Sequence, residues 1–350
     1  MILLNPGPVN VSDRVRQAAA MEPICHREPE YFDLQDEVRS RLVDLFGLAA
    51  RDFGAILLAG SGTSAVEAMV LAGVPAGKKL LVVNNGVYGE RIAKMAALHG
   101  IPFEEVRFPW EAPADPGVVA KRARGAGAVA AVHHETTTGL VNPISEIARV
   151  ARDHGARFLV DSVSGLAGDP IDVAQTDLCA GTAGKCLQGL PGVSFVLVRR
   201  EALRDAPRRS VYLDLGELCA KQDARNTPFT PAVPIVNAFR EALREAQEEG
   251  LDKRLERYRG TAEFLRAGYE RMGLRFWLPH RKLSNTLTTL RLPEGRTYTS
   301  VHDALKAEGF VIYAGQGSLE REAFRIANMG WIPRAEFARL LDVLDRWVKS

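Results

Sequence analysis

The chain has 350 residues, of which 46% are apolar, 25% charged and 7% aromatic, ordinary values for a globular protein with room for two domains and a large core. Its 45 basic and 43 acidic side chains nearly cancel, leaving +2, and no basic block stands out, which argues against a dedicated nucleic-acid binder. Cys25, Cys179, Cys186 and Cys219 contain no C-x-x-C pair, so neither a zinc ribbon nor a disulfide framework is indicated, and no metal is expected. No stretch approaches the roughly 18 apolar residues of a membrane span. Met1-Ile2-Leu3-Leu4 meets Asn5-Pro6-Gly7-Pro8 without the basic and apolar regions of a signal peptide, so a soluble, cytoplasmic protein without a membrane partner is expected.

In chain order, apolar runs at 55–59, 80–83, 128–132, 158–160, 178–180 and 194–198 read as strands. Several do not alternate with polar residues, which suits strands covered on both faces. Helix-period segments fall between them near 64–74, 87–99, 115–125 and 144–154. Strands spaced by helices predict an α/β fold with a mostly parallel sheet. The region 200–230 reads as long, irregular loops, which are often functional. After Pro234 the pattern changes. Residues 235–272 read as two long helices rich in Glu and Arg, broken near Gly250. Strand-like runs at 286–292, 310–314 and 323–327 follow, interleaved with helices near 299–308 and 334–348, as in a smaller α+β unit.

The chemistry-bearing residues cluster at predicted strand ends. Gly60-Ser61-Gly62-Thr63-Ser64 follows a strand and opens a helix, where free N–H groups and the helix dipole favour a phosphate. Ser64-x-x-Glu67 has capping-box spacing. No lysine follows, so this is not a P-loop, and no G-x-G-x-x-G fingerprint of a nicotinamide enzyme is present; a plain tight turn is the alternative. Asp161 ends the run Phe158-Leu159-Val160, where α/β sheets bind ligands, and a carboxylate there pairs with a protonated ring nitrogen or merely caps the next turn. Lys185 lies among small and apolar residues in Thr182-Ala183-Gly184-Lys185-Cys186. Burial lowers a lysine pKa and makes a Schiff-base nucleophile; a surface loop lysine is the other reading. Tyr88, in Asn85-Gly86-Val87-Tyr88-Gly89, either stacks on a planar cofactor or closes the core. The run His133-His134-Glu135-Thr136-Thr137-Thr138-Gly139 offers hydroxyls to a phenolic or carbonyl oxygen. Adjacent histidines in a strand point to opposite faces, so a shared metal is disfavoured. Arg325, between Phe324 and Ile326, is placed for bidentate capture of a carboxylate or phosphonate, unless it faces solvent.

Phosphate cup, stacking aromatic, ring-nitrogen carboxylate and Schiff-base lysine are together the parts of a pyridoxal-phosphate site. The segments Leu3-Leu4-Asn5-Pro6-Gly7-Pro8, His133-x-Glu135-Thr136-Thr137-Thr138-Gly139, Lys185-Cys186-Leu187-Gln188-Gly189-x-Pro191-Gly192, Gly309-Phe310-Val311-Ile312-Tyr313 and Phe324-Arg325-Ile326-Ala327-Asn328-Met329-Gly330 carry a resemblance that runs nearly end to end. The chain resembles the class V aminotransferases of the fold type I pyridoxal-phosphate superfamily, and among them the 2-aminoethylphosphonate–pyruvate transaminases.

The resemblance implies a mostly parallel, seven-stranded sheet in a large cofactor-binding domain, 21–245, and a small α+β domain made of 1–20 and 246–350. It implies pyridoxal 5′-phosphate held by Lys185, with Asp161 on the ring nitrogen and Tyr88 stacked on the ring. Ser61, Gly62 and Thr63 would hold the phosphate, and Thr136 would sit near the phenolic oxygen. Thr230, in Pro228-Phe229-Thr230-Pro231, would reach the cofactor of the other subunit in a homodimer. Arg325, with Asn5 and Gly7, would bind the substrate. The implied reaction is ping-pong transfer of an amino group from 2-aminoethylphosphonate, giving phosphonoacetaldehyde, to pyruvate, giving alanine. The rivals are an alanine– or serine–glyoxylate or –pyruvate transaminase, a lyase or desulfurase on the same scaffold, and a binding protein without chemistry. A desulfurase needs a thiol on a mobile loop. A mere phosphate binder needs neither Lys185 nor Asp161. Three places depart from the family pattern. Gly184 stands where relatives carry Asn or Gln, and Thr227 stands where an aromatic is common. Cys25-His26-Arg27-Glu28-Pro29-Glu30, expected to border the substrate, makes Arg27 either a second anion contact or a structural residue.

Overall fold

A computed structural model describes the chain from Met1 to Ser350, with every side chain except that of Arg281. Seven runs pair into one sheet: β1 (Phe53–Gly60), β2 (Lys79–Asn84), β3 (Phe103–Arg107), β4 (Ala126–Val132), β5 (Arg157–Asp161), β6 (Leu178–Thr182) and β7 (Gly192–Arg199). Their spatial order is β1-β7-β6-β5-β4-β2-β3. β7 runs antiparallel to both neighbours, and the other pairs are parallel. The mostly parallel sheet expected from the spacing is therefore present, with one reversed strand near its edge.

Side chains alternate across each strand, and both faces are apolar. Leu57, Leu81, Val129, Val160 and Phe195 belong to one core layer; Ile56, Val82, Ala130, Leu159 and Val196 belong to the other. This is why the strands read as unbroken apolar runs. The first layer is covered by α1 (Pro29–Leu45), whose buried Tyr31, Leu34, Val38 and Leu42 recur at helical spacing, and by the helix Val233–Glu249. α2 (Gly62–Gly73) and α3 (Val87–Leu98) cover the second. The region expected to be irregular holds a helix, Leu215–Asp223, started by Asp214, whose carboxylate accepts the Glu217 N–H at 3.0 Å.

The C-terminal unit is a three-stranded antiparallel sheet in the order Leu287–Arg291, Ala323–Ala327, Tyr313–Ala314. The helices Tyr298–Ala307 and Arg334–Lys349 pack on it around Phe310, Phe324, Leu344 and Trp347. Ile2–Leu3 pairs in parallel with Phe310–Val311, and Leu4 enters the same core. The first residues thus travel with the C-terminal unit, and the loop Asn5–Pro8 passes from it towards the large sheet. Among the described residues, no helix is long and apolar enough to cross a membrane.

Candidate active site

The parallel strands deliver their following residues to one end of the large sheet, the place where open α/β sheets bind ligands. Asp161 is the last residue of β5, in register with Val132 and Ala180. Its carboxylate is 6% exposed and accepts the Val163 N–H at 3.0 Å. Burial pushes it up to about 6, while that N–H and the charges of Arg91 and Lys185 pull the other way.

Lys185 lies in the turn between β6 and β7. The turn is closed by the Lys185 and Gly189 N–H groups, both donating to the Ala183 carbonyl. Gln188, held at φ +62°, anchors it by donating to Tyr258 Oη at 2.8 Å and to the Gly330 carbonyl at 3.0 Å. Lys185 is half-buried, and desolvation brings its ammonium down to about 8, helped by the nearby cations Arg325 and Arg91. Its Nζ donates to the Pro6 carbonyl. A Cβ on Gly7 would fall 2.7 Å from Nζ, so the N-terminal loop needs glycine here to lie against the lysine. Asn5, buried, donates to the Pro8 carbonyl at 2.9 Å and shapes the same loop. At Gly184 a Cβ would lie 3.2 Å from Pro191 Cα, a tight fit. Cys186 is buried, its thiol donating to the Ser164 carbonyl.

The phosphate-cup segment folds three residues earlier than its spacing predicts. α2 begins at Gly62 with Ser61 as N-cap, and no side chain caps it. Ser64 Oγ instead donates to the Ser61 carbonyl at 2.7 Å, and Glu67 pairs with His99 at 2.6 Å, so Ser64 and Glu67 form no capping box. Gly60, at φ +151° with Ser64 Oγ 2.6 Å from its Cβ position, permits the early turn. The uncapped first turn leaves backbone N–H groups facing outwards.

Tyr88 opens α3 half-buried. Thr136 follows β4, and its buried Oγ1 has no partner, like that of Thr138. Arg325 sits mid-strand opposite Thr289 and Tyr313 and is only 6% exposed, so it does not face solvent. Its Nε donates to the Ala314 carbonyl at 2.8 Å, and its Nη1 to the Thr136 carbonyl at 3.0 Å and to Gln316 Oε1 at 2.9 Å. No carboxylate pairs with it among the described residues, and Nη2 has no partner. The two-nitrogen fork expected for an anion is therefore half occupied by the protein, and Nη2 is the nitrogen left to a ligand.

Thr230, expected at the other subunit's site, Arg27 and the two histidines have the following surroundings. Thr230 is exposed and lines another cleft with Tyr31, Tyr212 and Phe229. Arg27 donates to Asn226 Oδ1 at 2.9 Å and to the Thr227 carbonyl at 2.8 Å, which ties two loops together. His133 Nδ1 meets Ser162 Oγ at 2.9 Å, whereas His134 lies against Ser164 and Asp169. Burial holds the two rings down at about 4 and about 3.

Three residues at the site went unassigned by the sequence. Glu135, fully buried, accepts the Tyr88 N–H at 3.0 Å and both the N–H and the hydroxyl of Thr137, at 3.1 and 2.5 Å. Arg91 places its guanidinium 4.6 Å from the Tyr88 ring centroid and Nη1 3.4 Å from Thr63 Oγ1. Among the described residues no carboxylate pairs with it. Gln316 touches Arg325. Only the Tyr88–Arg91 pair had a readable signal, an aromatic and a cation one helical turn apart.

Comparison with known proteins accords with this geometry. The family described as "Aminotransferase class-V" matches residues 18–339. A 2-aminoethylphosphonate–pyruvate transaminase of Syntrophobacter fumaroxidans is 36% identical over 97% of this chain and 94% of its own. The solved alanine–glyoxylate aminotransferase of Nostoc superposes with a TM-score of 0.93 at 28% identity, covering 99% of this chain and 95% of that one. A subgroup IV aspartate aminotransferase from Thermus thermophilus gives 0.92 at 28% identity, covering 100% and 99%. The chain belongs to the class V aminotransferases, pyridoxal 5′-phosphate enzymes of the fold type I architecture.

Proposed function

We propose that this aminotransferase moves the amino group of 2-aminoethylphosphonate to pyruvate, with Lys185 and Asp161 as its catalytic pair. The observation that carries the reading is Arg325: a buried cation with no carboxylate partner and one nitrogen free, on the unit that faces the lysine turn. Such a charge calls for an anionic ligand. The phosphonate of the donor and the carboxylate of pyruvate would use it in turn. The similarity to relatives named for this reaction, which spans 97–99% of the chain, supports the choice of donor. Overall, the donor's primary amine becomes an aldehyde while the ketone of pyruvate becomes the amine of alanine, so atoms and electrons balance without another reactant.

The residues present fit the cofactor. An uncapped helix start suits its phosphate, a buried carboxylate its ring nitrogen, and the orphaned Thr136 hydroxyl an oxygen acceptor. Bound, the cofactor supplies a conjugated electron sink for the carbon beside the substrate nitrogen. The chain supplies the rest. Lys185, tuned to about 8, would hold the cofactor through its neutral amine and, once the donor's amine has displaced it, would be free to move a proton at that carbon. Asp161, ionised above about 6, holds a proton on the ring nitrogen. Tyr88 would cover one ring face, and Ser61, Gly62 and Thr63 would hold the phosphate. Gly7 and Asn5 close the N-terminal loop over the substrate.

We further place Thr230 at the neighbouring site of a homodimer, since it is exposed and lines a cleft whose lining does not include Lys185. In this reading only the first residues, Ile2–Leu4, go with the C-terminal core; Val9, Val11 and Val15 pack under the large sheet, so the N-terminal boundary falls well before the expected residue 20, and the expected boundary at 245 lies within the helix Val233–Glu249. All four cysteines are free, which suits the cytoplasm. The buried thiol of Cys186 is unsuited to desulfuration. The test is alanine formation from pyruvate with 2-aminoethylphosphonate set against alanine-independent donors such as serine and aspartate. Preference for the phosphonate by about tenfold or more in kcat/KM is expected, and preference for an amino acid overturns the donor.

A further inference from the structure

We infer that Gln316 is a specificity-determining residue, which fits the substrate pocket to a three-oxygen anion over a carboxylate. The inference rests on Arg325 being the ligand of the substrate's anionic group. Guanidinium and amide nitrogens are all donors, so only the carbonyl of Gln316 can face Arg325, and the 2.9 Å bond from Nη1 to Oε1 fixes the amide's orientation. The Gln316 amide nitrogen is then turned away from Nη1, and it has no partner among the described residues. Arg325 Nη2 has none either. The pair therefore leaves two charged and two neutral N–H groups without a protein partner among the described residues. A carboxylate has two oxygens to receive them. A phosphonate dianion has a third oxygen and a second negative charge, so once Nη2 has engaged two oxygens one remains for the Gln316 amide N–H.

The turn carrying Gln316 is built to hold it there. The Gly315 N–H donates to the Ala323 carbonyl at 2.7 Å, and a Cβ on Gly315 would lie 2.1 Å from the Leu319 carbonyl oxygen. Gly317 sits at φ +60°, and its Cβ would lie 2.9 Å from the Trp110 ring. Between two positions that admit no side chain, Gln316 is fixed beside the guanidinium, half-buried. The remaining Arg325 donors are held by the Ala314 and Thr136 carbonyls.

The experiment titrates the cofactor-loaded enzyme with methylphosphonate and with acetate, followed by the cofactor's absorbance, at mildly alkaline pH where the phosphonate is a dianion. Neither probe carries an amine, so the result is independent of the donor. Gln316→Ala should weaken methylphosphonate by about tenfold and acetate by less than about threefold, the loss of one charge-assisted hydrogen bond. Gln316→Glu keeps the bond to Arg325 but adds a negative charge, and should weaken both. Equal weakening by Gln316→Ala makes Gln316 only a support for Arg325 and overturns the inference, as does no change, or a wild-type enzyme that binds neither probe. A selective loss of methylphosphonate in an enzyme that does not accept 2-aminoethylphosphonate would uphold Gln316 and overturn the donor instead.

Discussion

Glu135 and Tyr88 lie 47 residues apart, yet one oxygen of the Glu135 carboxylate accepts the Tyr88 backbone N–H at 3.0 Å. The other oxygen accepts from Thr137, so one buried carboxylate joins the start of α3 to the loop that carries Thr136. Both segments face the cofactor in the proposed site. Glu135→Gln puts an amide NH2 opposite an N–H donor, whichever way it turns. Cofactor affinity is expected to fall by about tenfold, the loss of one hydrogen bond to a charged group. Burial raises the Glu135 carboxyl to about 7, so wild-type affinity should decline as pH falls through that value. This leg of the profile should be missing from the variant, which a purely structural role would not produce. Titration of the apoprotein with cofactor across pH measures both.

Packing around Glu135 gives a stability prediction. A Cβ on Gly86 would lie 2.3 Å from the Glu135 carboxyl carbon. Gly86→Ala should cost about 1–3 kcal/mol, the usual range for an overpacked core, and denaturant unfolding would detect it.

Lys185→Ala should abolish covalent loading and turnover while leaving the fold intact. In the wild type, capture of cofactor by the apoprotein should accelerate as pH rises through about 8, because only the neutral amine attacks and burial has lowered its pKa. Arg91→Gln removes a cation that depresses this pKa and should move the midpoint to higher pH. Stopped-flow absorbance reads both.

Arg325→Lys loses the planar arrangement that binds the Ala314 and Thr136 carbonyls and still leaves a nitrogen for the ligand. KM for donor and acceptor should both rise, by about tenfold or more, with a smaller change in kcat. An unchanged KM for both removes Arg325 from the substrate site.

Six strands of the large sheet were legible, most plainly β4 and β6, whose apolar runs are buried at every position; β3, at the edge with Phe103 and Arg107 exposed, was not read. Lys185 and Asp161 were legible for a related reason: a charge at the end of such a run stands out. α1 was not read, since its mean hydropathy is low and its apolar stripe of Tyr31, Leu34, Val38 and Leu42 is broken by charged residues. The start of α2 was misplaced because a local Ser-x-x-Glu spacing cannot reveal that Gly60 turns the chain earlier and that Glu67 prefers His99. Glu135 and Gln316 act through partners 47 and 9 residues away, contacts that no local pattern encodes.

In the proposed reaction this chain takes an amino group from 2-aminoethylphosphonate at Lys185. The most direct measurement is the visible spectrum of the loaded enzyme, mixed with that amine and no acceptor. The long-wavelength band of the lysine-bound cofactor should disappear, the aminated cofactor's band should replace it, and pyruvate should restore the original spectrum. A spectrum that stays unchanged with 2-aminoethylphosphonate but shifts with an amino acid would contradict it.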